Sequence, residues 1–182
     1  MGMVSDAVFF DVDATSVAAA ASGDSVAFAR IVTTHHDAMV RVAFVISRDH
    51  DLAQDATQIA WSIAWRKLRG LREPDRLRSW LITIAANETR ALVERQRRQF
   101  AVDVGSIEVM SDHADPGITV TRVDLGSALG RLRPDERQIL ALRHVAGFDA
   151  TEIGRAMGLS PSGVRSRLAR ATERLRRELD DA

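Results

Sequence analysis

The residues with the plainest chemistry lie between Phe148 and Leu179, in "FDATEIGRAMGLSPSGVRSRLARATERLRREL". Ala150–Met157 reads as a short amphipathic helix with Ile153 and Met157 four apart on its inner face. Gly154 between them offers a small side chain where a second helix must approach. Gly158 supplies the left-handed conformation that ends a helix, and Leu159 plugs the corner. Ser160 is a good N-cap and Pro161 a good first residue for the second helix. In that helix Val164, Leu168, Ala171 and Leu175 form a core stripe, which turns Ser162, Arg165, Ser166 and Ala169 outward and puts Gly163, Arg167 and Arg170 on the flank. This is the layout of a helix-turn-helix whose second helix enters a DNA major groove. Arg165 near the helix start can reach guanine edges, Arg167 and Arg170 are placed for phosphates, and Ser162 with the helix N-terminus adds donors. A helical hairpin with a solvated arginine face would carry the same charge. The agreement of glycine turn, capped second helix and core spacing favours DNA binding.

The elements that position this module are helical throughout. Strand signals are almost absent: there is no tyrosine, little alternation and few turn dipeptides. The spacing predicts a helix capped by Asp24 through Val26, Phe28, Ile31 and Val32 to Ile46, with an optional break at His35-His36. A second helix is predicted over Leu52–Leu68, with Leu52, Ala56, Ile59, Ala60, Ile63 and Ala64 on its apolar side. A charged Gly/Pro loop, Arg69–Arg76, precedes a third helix from Leu77 to Gln96. Residues 99–123 have weak periodicity, a glycine, an Asp-Pro pair and scattered acids, and read as a linker. A second helical block starts near Val123, with Pro134 as a first helical residue and Ile139, Leu140 and Leu142 marking a buried face. The alanine cluster Ala18–Ala21 reads as part of a disordered tail.

Composition narrows the function. The 182 residues suffice for one ordinary domain or two small ones, and 46% hydrophobic content sustains a packed core. The net charge of zero combines unlike blocks: −4 over 1–24, +5 over 25–100, −4 over 101–124 and +3 over 125–182. Two basic blocks around an acidic spacer suggest two modules that each face phosphate. The absence of cysteine excludes disulfides, thiolate zinc sites and thiol redox chemistry in this chain. No apolar run reaches membrane-spanning length, and the acidic N-terminus lacks the basic start of a signal peptide, so cytoplasmic residence is expected. No metal or cofactor is expected. His35-His36 point to different helix faces without a partner at ligand spacing and read as packing residues. There is no H-E-x-x-H, phosphate-cradling glycine loop or nucleophile elbow, so no catalytic residue is assigned. Trp61, Trp65 and Trp80 read as core or docking residues rather than stacking platforms.

"LGRLRPDERQILALRHVAGFDATEIGRAMGLSPSGVRSRLARATERLRREL" resembles the C-terminal domain of bacterial sigma factors of the extracytoplasmic-function (ECF) type, within the sigma-70 family. "GDSVAFARIVTTHHDAMVRVAFVISRDHDLAQDATQIAWSIAWRKL", with "LRSWLITIAANETRALVERQRRQ", resembles the family's first domain through its whole length. Gly23-Asp24, Ala27-Phe28, Asp55, Gln58, Trp65, Trp80-Leu81, Ile84-Ala85 and Asn87 fall in place. A two-component response regulator ends in a similar helix-turn-helix, but it would carry an α/β receiver. The chain departs from the family's usual pattern at Ala56, Ile59, Leu71 and Leu77.

The resemblance implies an all-α protein of two small helical domains joined by a flexible linker. Residues 1–22 would be a flexible tail, 23–98 a region 2-like domain, 99–123 an acidic linker and 124–182 a region 4-like domain. It implies a non-enzymatic promoter-specificity subunit that binds core RNA polymerase and promoter DNA, with an anti-sigma factor as the usual brake in a stress or envelope response. Core-polymerase contacts would come from Asp51, Asp55, Gln58, Ile59 and Trp61. Minus-ten contacts would come from Arg72, Arg76, Arg78, Asn87 and Arg90, with the loop Leu71–Leu77 pocketing a flipped base. Minus-thirty-five contacts would come from Ser162, Arg165, Ser166, Arg167, Ala169 and Arg170. A linker of about 25 residues stretches to about 80–90 Å and as a coil spans about 25–30 Å. That suits two promoter elements about two duplex turns apart. Its acids, including Asp103, Glu108, Asp112 and Asp115, would suit a basic channel in the polymerase. Two other readings are a stand-alone helix-turn-helix regulator and a helical adaptor that binds only protein.

Overall fold

The computed structural model describes residues 14–103 and 120–180. They form α1 (Ala14–Ala21), α2 (Ser25–Ser47), α3 (His50–Lys67), α4 (Leu77–Asp103), α5 (Val120–Arg131), α6 (Pro134–Leu140), α7 (Ala150–Met157) and α8 (Pro161–Asp180). Two 3₁₀ turns, Leu68–Gly70 and Pro74–Arg76, link α3 to α4, and a π-turn, Ala141–Val145, extends α6. No strand occurs among the described residues, and the fold is all-α.

Asp24 caps α2 by accepting from the Val26 and Ala27 amides at 2.8 and 3.1 Å. The helix runs unbroken past His35-His36 and stops where Arg48 adopts a left-handed φ of 62°. Asp49 then caps α3 through the Leu52 amide at 3.0 Å. The buried side of α3 is Ala53, Ala56, Thr57, Ala60 and Ala64. This corrects the expected core stripe, since Ile59 is 39% exposed. Small side chains let α3 lie close against α2 and α4, while the larger ones point away. Ala56 is wholly buried and serves packing.

The segments flanking this bundle also differ from expectation. The alanine cluster forms α1, with Val17 and Ala20 buried against α2, because even a short helix with small side chains can nest in a groove. Two 3₁₀ turns take up most of the expected loop 69–76, the first beginning at Leu68, and helix occupies both ends of the expected linker, to Asp103 and from Val120. The remainder of that linker, with Glu108, Asp112 and Asp115, lies outside the described residues.

The helix-turn-helix forms at the expected positions. Asp149 caps α7 through the Thr151 and Glu152 amides at 2.7 and 2.8 Å, and the Glu152 carboxylate returns the bond to the Asp149 amide at 2.9 Å. Gly158 takes φ 68°, and Ser160 Oγ accepts from the Gly163 amide at 3.1 Å. Gly154 is required for a reason more local than helix approach. A Cβ there would sit 2.6 Å from the Leu159 carbonyl oxygen, the turn's own backbone.

Candidate nucleic-acid and polymerase interfaces

Three faces carry the predicted side chains. On α3, Asp51, Asp55, Gln58 and Ile59 are all exposed, the last three lying within one helical turn. Trp61 beside them is half-buried. Its ring packs edge-on against Phe28 at 5.8 Å, and its Nε1–H donates to His36 Nδ1 at 3.2 Å. The histidine thus orients the indole.

On α8, Val164 and Ala171 are buried, and Leu168 and Leu175 pack partly against the same core. Ser162, Arg165, Ser166, Arg167, Ala169 and Arg170 are all exposed. No carboxylate lies within ion-pair distance of Arg165, Arg167 or Arg170 among the described residues. By contrast, Arg174 one turn on is paired with Glu136 at 3.3 Å. The free arginines thus cluster at the end of α8 that emerges from the turn, next to the helix N-terminus.

The third face is the loop and α4, and here the tertiary structure adds what sequence reasoning missed. Arg72 and Arg76 are exposed, with Arg76 paired to Glu73 at 2.6 Å. Leu71, Arg72, Arg76 and Trp80 line a cavity of about 460 Å³, whose opposite wall is Phe148 and Arg155 of the helix-turn-helix block. Leu77 is turned into the core instead. Arg90 is half-buried, its Nε without a hydrogen-bond acceptor and 4.0 Å from Glu94.

Arg78 and Asn87 are already engaged by the second helical block. The π-turn carries the Ala146 amide to the Ala141 carbonyl at 3.0 Å, and the Ala146 carbonyl accepts from α4. Arg78 donates to it through Nη1 and Nη2 at 3.1 and 3.0 Å. Asn87 donates from Nδ2 to the Ala156 carbonyl at 3.3 Å and accepts from Gln138 Nε2 at 2.8 Å. Gln138 is wholly buried. A glutamine beside the apolar run Ile139–Leu142 is the one sequence signal for this contact.

The closed arrangement holds charge at a cost. Arg137 is 4% exposed, and its Nε has no acceptor. Burial, then the nearby Arg97 and Arg48, pushes its guanidinium down to about 10, so it remains charged at neutral pH. His35 is held below its ordinary value, by burial first and then by Arg78. A depressed histidine stabilises the folded state above its unfolded value and loses that contribution as pH falls through the range beneath it. The thermal midpoint is therefore expected to drop on acidification from about pH 7.5 to about 5.5, less steeply in His35→Gln. Parallel profiles in a pH series of melts would contradict this.

Comparison with known proteins completes the picture. Residues 31–99 match the family described as sigma-70 region 2, and residues 122–175 match sigma-70 region 4. The chain is an RNA polymerase sigma factor of the ECF type. This sigma factor is 32% identical to the RNA polymerase sigma factor CnrH of Cupriavidus metallidurans, over 93% of this chain and 95% of that one. It is 33% identical to the ECF RNA polymerase sigma factor SigM of Mycobacterium tuberculosis, over 92% and 84% of the two chains. Its fold is similar to that of the sigma factor RpoE from Bartonella quintana, solved in complex with the anti-sigma factor NepR. The TM-score is 0.71 at 27% identity, over 84% of this chain and 96% of that one. A likeness of that extent takes in both helical blocks.

As a sigma factor the chain binds core RNA polymerase and promoter DNA, and it directs transcription initiation without catalysis of its own. A region 2 match beside the helix-turn-helix removes the stand-alone regulator and the adaptor as readings. No helix among the described residues is long and apolar enough to cross a membrane.

Proposed function

We propose that the sigma factor divides its work among the three faces. Asp51, Asp55, Gln58, Ile59 and Trp61 dock on the polymerase clamp. Arg72, Arg76, Arg78, Asn87 and Arg90, with the loop Leu71–Leu77 uncovered when the second block moves away, capture the opened minus-ten strand. Ser162, Arg165, Ser166, Arg167, Ala169 and Arg170 hold the minus-thirty-five element. The functional domains are 23–98 and 124–182, joined through the acidic segment 99–123, and the protein acts in the cytoplasm.

The observation that carries this reading is the cluster of exposed α8 arginines without a carboxylate partner among the described residues, and the engagement of Asn87 sets a condition on it. The Asn87 amide is well formed for reading a base edge, and both of its polar ends are occupied by the other block. In this arrangement Asn87 cannot bind DNA, so promoter opening requires the blocks to part. Each hydrogen bond given up is worth about 0.5–1.5 kcal/mol, and apolar side chains of α2 and α4 that share one core with the second block are uncovered with them, so polymerase docking and minus-thirty-five contacts together must supply both. A partner that binds the closed arrangement would hold the factor inactive. The likeness to an anti-sigma-bound structure across both blocks supports control of this kind, and such control suits a stress or envelope response.

The test is direct. Purified protein added to core polymerase is expected to yield promoter-specific transcripts, and sequencing them identifies the promoter. Tight operator binding without polymerase would defeat the proposal. Within the same assay, Arg165→Ala is expected to weaken minus-thirty-five discrimination by about 1–3 kcal/mol. Equal losses on native and scrambled elements would remove Arg165 from base reading.

A further inference from the structure

The cavity loop has few fastenings of its own. Within it, the Leu71 amide bonds the Leu68 carbonyl and the Arg76 amide bonds the Glu73 carbonyl, each at 3.0 Å, and the Arg76 guanidinium pairs with the exposed Glu73 carboxylate. Behind the loop lies α1, which packs on both 3₁₀ turns. At the C-terminus of α1 the chain turns back on itself. The Ser22 amide takes the Ala18 and Ala19 carbonyls, the Gly23 amide takes Ala20, and the Asp24 amide takes Ala19. The Ala21 carbonyl is left over by this pattern, and Arg69 Nε donates to it at 2.9 Å from 48 residues away.

Two features fit this contact. A cation at a helix C-terminus meets carbonyl oxygens lacking intrahelical donors and the negative end of the helix dipole. Gly23, at φ 105°, lets the chain reverse at the end of α1, and a Cβ there would meet Arg69 Nη2 only at an ordinary contact of 3.9 Å, so the guanidinium lies against the turn itself. Arg69 immediately precedes Gly70, Leu71 and Arg72, which form the wall of the cavity. Its side chain is therefore tied to α1 on one side while its chain neighbours shape the opening on the other.

We propose that α1 sets the position of the cavity wall through the Arg69–Ala21 contact, and that Arg69 is thereby a positioning residue for selectivity at the flipped minus-ten base. The proposal rests on the reading of the loop as a base pocket. Arg69 touches no base. It limits how far the Gly70–Arg72 wall swings, and so which base edge the pocket accepts.

The experiment uses holoenzyme reconstituted from the full chain and core polymerase, on the sequenced promoter and on single-base variants across its minus-ten element. Arg69→Ala is expected to reduce discrimination among those variants by about three- to tenfold, a factor suited to one solvent-exposed hydrogen bond. Permanganate reactivity of minus-ten thymines should fall with it. Holoenzyme assembly and minus-thirty-five discrimination should stay unchanged, and Arg69→Lys should restore part of the loss. Because Arg69 is exposed, a melt is expected to show the variant folded. Full discrimination in folded Arg69→Ala, or equal loss at both promoter elements, would overturn the proposal. Leu71→Ala separates the pocket from the device that positions it. If it leaves minus-ten discrimination intact, the pocket reading itself fails. If it alters discrimination while Arg69→Ala does not, only the role of Arg69 and α1 fails.

Discussion

Asp55→Arg is expected to weaken holoenzyme assembly by about 2–4 kcal/mol, roughly 30- to 1000-fold in affinity. Asp55, Gln58 and Ile59 make one exposed turn of α3, and Trp61 is fixed beside them by Phe28 and His36. A charge at the centre of such a patch is desolvated on docking, so reversing its sign replaces an attraction with a repulsion in a water-poor interface. The side chain is solvent-facing in the free protein, so the variant should fold with an unchanged thermal midpoint. Titration of labelled protein into core polymerase measures the affinity, and Asp55→Asn separates charge from shape with an intermediate loss. Wild-type affinity in the arginine variant would place the clamp contact elsewhere.

Gly154→Val is expected to destroy the helix-turn-helix while sparing the first helical block. A Cβ would stand 2.6 Å from the Leu159 carbonyl oxygen. That oxygen cannot retreat cheaply, because the Gly158 and Leu159 amides both bond the Gly154 carbonyl across the same turn. Overpacking against backbone costs about 3 kcal/mol at this level of conflict, comparable with the stability of a small helical module. Minus-thirty-five dependence should vanish and the helical signal of the second block should melt early. Binding to core polymerase through α3 should persist at reduced strength. A variant that keeps full minus-thirty-five dependence would show that the turn can shift to accommodate a side chain.

The two substitutions differ in how far each could be anticipated from sequence. The turn at Gly154–Pro161 is local chemistry: caps, a left-handed glycine and a 3.6-residue apolar stripe act within about a dozen residues. Even so, the obstacle to a side chain at Gly154 is the turn's own backbone rather than the second helix. Periodicity alone puts Ile59 with the core, yet it is exposed, because the alanines beside it bring α3 closer to its neighbours than larger side chains would. The alanine cluster carries too little apolar area to announce itself as structure, and only the groove of α2 and the waiting Arg69 guanidinium reveal what it does.

The all-helical class, the helix-turn-helix with its exposed arginines, the acidic and glutamine-bearing turn of α3 and, through resemblance, the family are all legible in the residues alone. These depend on side chains near one another in the chain or on motif order along it. That Asn87 and Arg78 meet Gln138, Ala146 and Ala156, and that the loop leans on α1, emerges only when the helices are packed. Those contacts join groups separated by 48 to 69 residues. Most of them end on backbone carbonyls, which every residue carries and which therefore leave no trace in residue types. Gln138 is the exception, a polar side chain whose burial depends on which helices close over it.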